Sequence, residues 1–361
     1  MTSTTLETLR TYSLRRSLQH PRSLEAVIAN LGFVQADPIR APARAQDLIL
    51  RPRVAGYKAG DLERLYPSLA IEEDYFVNYG FLTREAQSHM HPRVLERTLQ
   101  VERDAPELSA RVLEFVSVFG ATHPKDLERH FGKLQSGNAW GGTSQATTRV
   151  LDALHYRGQL RVVRRDKGIK VFGIATHHAL QPKSPLEMAA GVLHLIVGQY
   201  APLPMKGLRQ LVAFSGLGAP HLKTAFKQHL KQLLLEQFQS VTLDGVTYVY
   251  PPGESLEAEP LDQVKLLAPF DPIVWDRGRF ALLHGWEYRF EAYTPAAKRI
   301  RGYYALPLLW RDHALGWANL KVNNRQLEAE LGFIGTRPKD KAFKAALEAE
   351  LAAMAAFLDL A

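Results

Sequence analysis

The chain has 361 residues, 46% hydrophobic and 23% charged, which is the make-up of a folded globular protein and excludes disordered and fibrous classes. No apolar run nears the roughly 18 residues needed to cross a bilayer, and the lack of cysteine excludes disulfides, thiol catalysis and cysteine-ligated metal. Lys and Arg total 45 against 37 Asp and Glu, a net of +8 that favours a polyanionic partner.

At about 150 residues per domain, two or three domains are expected. The polar start, MTSTTLETLRTYSLRRS, lacks the apolar core of an export signal, so a cytoplasmic protein is expected. Leu6–Leu18 reads as a helix; Ser23 caps a second over Leu24–Leu31, and Gly32 stops it. Phe33-Val-Gln-Ala-Asp37 reads as a short strand ended by Pro38, with helices over Ala43–Leu50 and Ala59–Tyr66. These fall in a first, looser module, residues 1–105.

In residues 106–183, Leu108, Val112, Phe115, Val116 and Phe119 recur at helical spacing before Gly120. His123–Phe131 reads as a second helix, and Thr143-Ser144 caps a third carrying Val150, Leu151 and Leu154. Leu160–Arg164 and Lys170–Ile174 follow as strands about Arg165-Asp-Lys-Gly168. Three helices and a hairpin make a winged helix. The order returns in residues 184–252, with helices Met188–Tyr200, Met205–Phe214 and Ala219–Gln237, then strands Val241–Leu243 and Val246–Tyr250 about Asp244-Gly245. Residues 253–361 read as β-rich, with strands Val264–Ala268, Phe280–Leu283, Arg301–Leu309 and Leu315–Val322 before a final helix, Asp340–Leu358. The expected class is α+β, mainly helical, with three tandem winged-helix modules and a C-terminal β-rich region.

Phosphate-loop, dinucleotide and H-E-x-x-H motifs are absent, and the glycine-rich run from Gly137 to Gly142 lacks the phosphate-binding lysine. His89-Met-His91 and His177-His178 have no carboxylate at ligand spacing, so neither a metal nor a cofactor is expected. Phe214-Ser-Gly216-Leu-Gly218 reads either as a backbone grip on a phosphate or as the turn before the next helix.

Alternation along Phe33–Asp37 puts Gln35 and Asp37 on one face, where an amide and a carboxylate could hold one water between them. Around them lie Arg40, Arg44, Arg51, Arg53 and Lys58 against the single acid Asp47. A second basic stretch, Arg277, Arg279, Arg289, Lys298, Arg299 and Arg301, interleaves with Trp275, Tyr288, Tyr293 and Tyr304, which suits phosphate contacts with base or sugar stacking.

Three segments carry a resemblance: Leu31-Gly-Phe-Val-Gln35-Ala-Asp37-Pro-Ile; Leu267-Ala-Pro-Phe-Asp-Pro-Ile-Val-Trp-Asp-Arg277; and Tyr288-Arg-Phe-Glu-Ala-Tyr293-Thr-Pro-Ala-Ala-Lys298-Arg299 running on to Gly302-Tyr-Tyr-Ala-Leu-Pro307. Over nearly its whole length the chain resembles the YcaQ/AlkX branch of the AlkZ-like winged-helix DNA glycosylases. The resemblance implies tandem winged helices around a C-shaped basic cleft, excision of bulky N7-alkylated purines and unhooking of interstrand crosslinks. It also implies catalysis by a Gln-x-Asp motif, matched here by Gln35 and Asp37. One segment departs: Glu72-Glu-Asp-Tyr75-Phe-Val-Asn-Tyr-Gly-Phe-Leu stands where an aromatic and histidine-rich stretch is expected.

The expectation is therefore a monofunctional, nucleoid-associated, monomeric enzyme acting on duplex DNA that contains alkylated purines, without metal or nucleotide cofactor. Arg40, Arg44, Arg51, Arg53, Arg277, Arg279, Arg289, Lys298, Arg299 and Arg301 are its candidate phosphate contacts. The alternative is a non-catalytic winged-helix regulator that reads an operator through a recognition helix.

Overall fold

The structure, a computed structural model, describes residues 4–18, 23–95, 98–133, 135–137, 143–176 and 183–360. Most of the run from Gly137 to Gly142, and the pair His177-His178, lie outside the described residues. Helices and strands mix throughout, and the chain condenses into two compact units, each drawn from separated stretches: Met1–Leu62, Leu193–Val212 and Lys231–Ala361 form the first, Glu63–Val192 and Ala213–Leu230 the second. Among the described residues no helix is long and apolar enough to cross a membrane.

In the first unit, helix Leu6–Leu18 sinks Leu14 and Leu18 into a core with Leu267, Val274, Phe280 and Trp286. Ser23 caps helix Leu24–Leu31 by accepting from the Ala26 N–H at 3.3 Å. Gly32 ends that helix at φ 72°, where a Cβ would come 3.0 Å from Leu195. The chain then runs straight into the buried strand Val34–Gln35. An antiparallel sheet takes Val264–Leu266, Leu306–Trp310, His313–Asn323 and Gln326–Phe333 in that order. Helix Lys341–Phe357 supplies Glu350, which accepts the Leu266 N–H at 2.8 Å and so closes a hydrogen bond that an edge strand would otherwise leave open. The hairpin Gln239–Leu243 with Val246–Tyr250 turns through Asp244 and Gly245, both at positive φ, as the Asp-Gly signal requires.

In the second unit, helices Pro106–Phe119, Pro124–Phe131 and Ala146–Tyr156 precede the hairpin Leu160–Asp166 with Ile169–Ile174. Its turn residues, Lys167 and Gly168, again both have positive φ. A hairpin not expected from sequence, Ile71–Tyr75 with Tyr79–Thr83, carries the departing segment. Its acids are structural. Glu72 pairs with Arg84 and Arg161, Glu73 with Arg165, and Asp74 with Arg93 and His91, all three carboxylates being buried. Burial alone would raise the Asp74 pKa, but Arg93 and His91 together hold it well below the usual carboxylate range.

Several expected elements are corrected. The strand over Phe33–Asp37 is only Val34–Gln35 long, because Pro38 offers no ladder donor and Asp37 turns instead. Phe280–Leu283 lies inside helix Arg277–His284, which Asp276 caps by accepting from the Arg279 N–H at 3.0 Å. Gly278, in the first turn, masks that helix start in the sequence. Thr143-Ser144 belongs to strand Thr143–Gln145, and the helix begins at Ala146. Arg301 to Ala305 precedes its strand, which starts at Leu306, and the final strand Gln326–Phe333 was not expected.

Arg51 and Arg53 are not available to phosphate. Arg51 donates to Glu350 and to the Leu266 carbonyl. Arg53 donates to both Asp271 oxygens, at 2.7 and 2.9 Å, to the Ser17 hydroxyl and to the Ser17 and Ile49 carbonyls. Every N–H of that guanidinium is satisfied, and only 3% of Arg53 is exposed. Arg53→Ala leaves Asp271 a buried charge without its counterion, so chemical denaturation should report a loss of about 3–5 kcal/mol. Arg289→Ala, at an exposed position, should stay within about 0.5 kcal/mol of wild type.

Candidate active site

Gln35 emerges from the helix Leu24–Leu31 and its glycine stop as a buried residue at the end of a two-residue strand. Its Oε1 accepts the indole N–H of Trp275 at 2.7 Å. An indole N–H can only donate, so the amide has one permitted orientation, with oxygen toward Trp275 and the NH2 on the other side. Trp275 is itself held. Asp271 caps the short helix Pro272–Trp275, accepting from Ile273 at 3.0 Å, and the Tyr200 ring packs on the indole at 5.6 Å. The carbonyl of Phe33, two residues before Gln35, is gripped by the side-chain amide of Gln199.

Two residues on, Asp37 is half-buried. Its N–H donates to the buried Gln46 amide oxygen at 3.3 Å, and its Oδ1 accepts the Ile39 N–H at 2.9 Å across Pro38. Oδ1 thus shapes the turn at Pro38, while the other carboxylate oxygen has no partner among the described residues. Among the described residues Asp37 makes no ion pair. Burial raises its pKa above the 3.8 of an ordinary aspartate, against the smaller lowering effect of the Ile39 N–H. Its charge also reaches the buried phenol of Tyr304, whose hydroxyl has no hydrogen-bond partner among the described residues.

The candidate cations divide sharply. Arg40, Arg289 and Lys298 are exposed; Arg44, Arg299 and Arg301 are half-buried. Arg299 donates to the Thr294 carbonyl at 2.8 Å and lies over the Tyr303 ring, while Arg301 pairs with Glu291. Arg277 turns its guanidinium inward, onto the Val274 and Pro269 carbonyls and the Tyr288 ring. Arg279 is buried and donates to the carbonyls of Tyr200, Pro272 and Ile273, so it is corrected, like Arg51 and Arg53, from phosphate contact to scaffold.

Phe214–Gly218 is a packing turn. Its Gly216, Leu217 and Gly218 N–H groups donate to protein carbonyls, and a Cβ on Gly218 would strike the Tyr75 carbonyl oxygen at 2.4 Å. No group of three or more His, Cys, Asp or Glu suited to a metal ion occurs among the described residues. A cavity of about 840 Å³ lies against Trp275, Gly207, Gln210, Val246 and Arg277, but Gln35 and Asp37 do not line it.

Nothing in the chain marks Gln46 as the holder of Asp37, and Trp275 stood out only as one aromatic among many. The strand ends at Gln35, so its amide and the Asp37 carboxylate lie two residues apart along the chain rather than on one strand face. An amide and a carboxylate so close in sequence suit water-mediated bond cleavage, and comparison gives the class as DNA glycosylases. Residues 28–357 match the family described as DNA glycosylase AlkZ-like, and the chain belongs to that family. Its fold is similar to that of the DNA glycosylase AlkZ of Streptomyces sahachiroi, with a TM-score of 0.64 over 99% of this chain and 97% of that one, at 15% identity.

Trp275→Phe keeps the ring against Tyr200 and removes only the donor to Gln35, so single-turnover base release should slow about 10- to 100-fold with little change in DNA affinity. The sign of the pH effect follows from the raised Asp37 pKa. Protonation begins at a higher pH than for a free aspartate, so the acid limb of the rate profile should fall above pH 3.8 as the carboxylate is lost.

Proposed function

We propose that the protein hydrolyses the N-glycosidic bond of cationic, N7-alkylated purines in duplex DNA, as a monomer and a monofunctional glycosylase. The observation that carries this reading is the Trp275-oriented amide of Gln35 two residues from a carboxylate, Asp37, that no cation among the described residues neutralises. The Gln-x-Asp pair favours the YcaQ/AlkX branch over one with two amides.

Alkylation at N7 gives the purine a positive charge, so the base leaves readily. The electron pair of the C1′–N9 bond goes to the base, and positive charge gathers on the sugar. The Asp37 carboxylate lowers the energy of that cation and accepts a proton from the attacking water. The NH2 of Gln35 donates to the water oxygen and leaves a lone pair for C1′. No lysine stands in the motif to form a Schiff base, so the product is an abasic site in an uncut strand. The solvent-facing Arg40, Arg289 and Lys298, with Arg44, Arg299 and Arg301, are the phosphate contacts in this reading. Family membership favours this enzyme reading over the non-catalytic regulator.

Purified protein incubated with N7-methylguanine duplex in EDTA should release the base, with strand cleavage only after alkali. Asp37→Asn keeps the acceptor for Ile39 and should lose about 100-fold or more in rate; equal release by both proteins would remove Asp37 from the mechanism. A crosslinked duplex is the second substrate to assay, with unhooked strands as the readout. Lys298→Ala should weaken binding and make the plot of log K against log salt shallower by about 0.9. An unchanged slope would place Lys298 away from the DNA.

A further inference from the structure

The loop that joins Glu291 to Gly302 is fastened from within. Glu291 is buried, and its Oε2 accepts the N–H groups of Ile300, Arg301 and Gly302 at 2.9, 2.7 and 3.2 Å. Burial would raise the Glu291 pKa, but these three donors overcome it and keep the carboxylate ionised. Gly302 sits at φ 123°, where a Cβ would strike Asn319, and Asn319 in turn donates to the Arg301 carbonyl at 2.7 Å. On the other limb the Thr294 N–H donates to the Glu291 carbonyl, and the Lys298 N–H to that of Pro295.

The loop held this firmly exposes apolar side chains. Tyr293 is 81% exposed, Ile300 78% and Tyr303 45%, with Lys298, Arg299 and Arg301 among them. A fixed apolar projection flanked by cations matches the chemistry of a nucleic-acid stack edged by phosphates. The loop also adjoins the site. The Phe290 ring packs against Tyr293 at 6.0 Å and against Tyr304 at 5.3 Å, and Tyr304 is the phenol that the Asp37 charge reaches.

We propose that Ile300, with Tyr293 exposed on the same loop, is a wedge that enters the base stack of duplex DNA beside the damaged nucleotide and opens it, bringing C1′ within reach of Asp37. The proposal rests on the glycosylase reading above and adds the element that deforms the DNA. Phosphate contacts alone would hold the duplex without opening it. An aliphatic side chain between base steps supplies the unstacking, and the Glu291 clamp lets the loop keep its shape against the resistance of the stack.

The test uses full-length protein and an N7-methylguanine duplex with 2-aminopurine as the neighbouring base, beside the same lesion in an unpaired bubble. Wild type should raise 2-aminopurine fluorescence on binding and excise from both substrates. The double variant Ile300→Ala with Tyr293→Ala should bind with an unchanged salt slope, give no fluorescence rise, and excise about 10- to 100-fold more slowly from the duplex. It should excise from the bubble at the wild-type rate, and Ile300→Leu should restore the duplex rate. Both side chains are exposed, so the variants should melt as wild type does. Undiminished duplex excision and fluorescence in the double variant overturn the wedge, as does an equal loss on duplex and bubble. Fluorescence that rises while wild type excises from neither substrate counts against the glycosylase chemistry and leaves the wedge standing.

Discussion

The bond from the Trp275 indole to the Gln35 amide is the constraint on which the site depends. Because the indole can only donate, it settles which end of the amide is oxygen, and thereby which end, the NH2, would hold the water in the proposed reaction. The indole in turn depends on Asp271, whose carboxylate caps the Pro272–Trp275 helix and receives Arg53. Arg53 extends the chain of support to Ser17 on the first helix and to Ile49 beyond the motif. A fully satisfied buried guanidinium therefore stiffens a site it never touches, and a structural cost rather than lost DNA contact is what its removal is expected to show.

The basic surplus of the chain is not one surface. A large share of the arginines is committed to carbonyls or to buried acids, because an arginine taken from water must find acceptors nearby for most of its N–H donors. In the second unit the same rule runs in reverse: Glu72, Glu73 and Asp74 sit side by side on one strand, and Arg84, Arg161, Arg165 and Arg93 converge on them. What remains for solvent is a smaller set of cations, several of them beside the exposed aromatic and aliphatic side chains of the Glu291–Gly302 loop.

In the proposed reaction the chemistry asks little of the protein, because an N7-alkylated purine would bring its own leaving group. A cationic purine needs no acid to protonate it, only a negative charge near the sugar and a water in line. This suits a half-buried aspartate whose pKa burial has raised: the low-polarity setting that lifts the pKa also strengthens its attraction for a developing cation.

Local chemistry was legible in the chain itself. Asp244-Gly245 and Lys167-Gly168 turn where two consecutive positive-φ positions were needed, Ser23 and Gly32 bound their helix, and Gln35 with Asp37 stood out within a long match to a known family. Those features depend on near neighbours, and near neighbours are what a sequence displays. Tertiary structure alone decided the fate of the cations and acids: Arg53 meets Asp271, Arg51 meets Glu350 and Asp74 meets Arg93 across long stretches of chain. The same holds for the amide of Gln35, which is oriented by a residue 240 positions away. Whether a charged side chain faces phosphate or a carbonyl is set by what packing brings beside it, and composition carries no record of that.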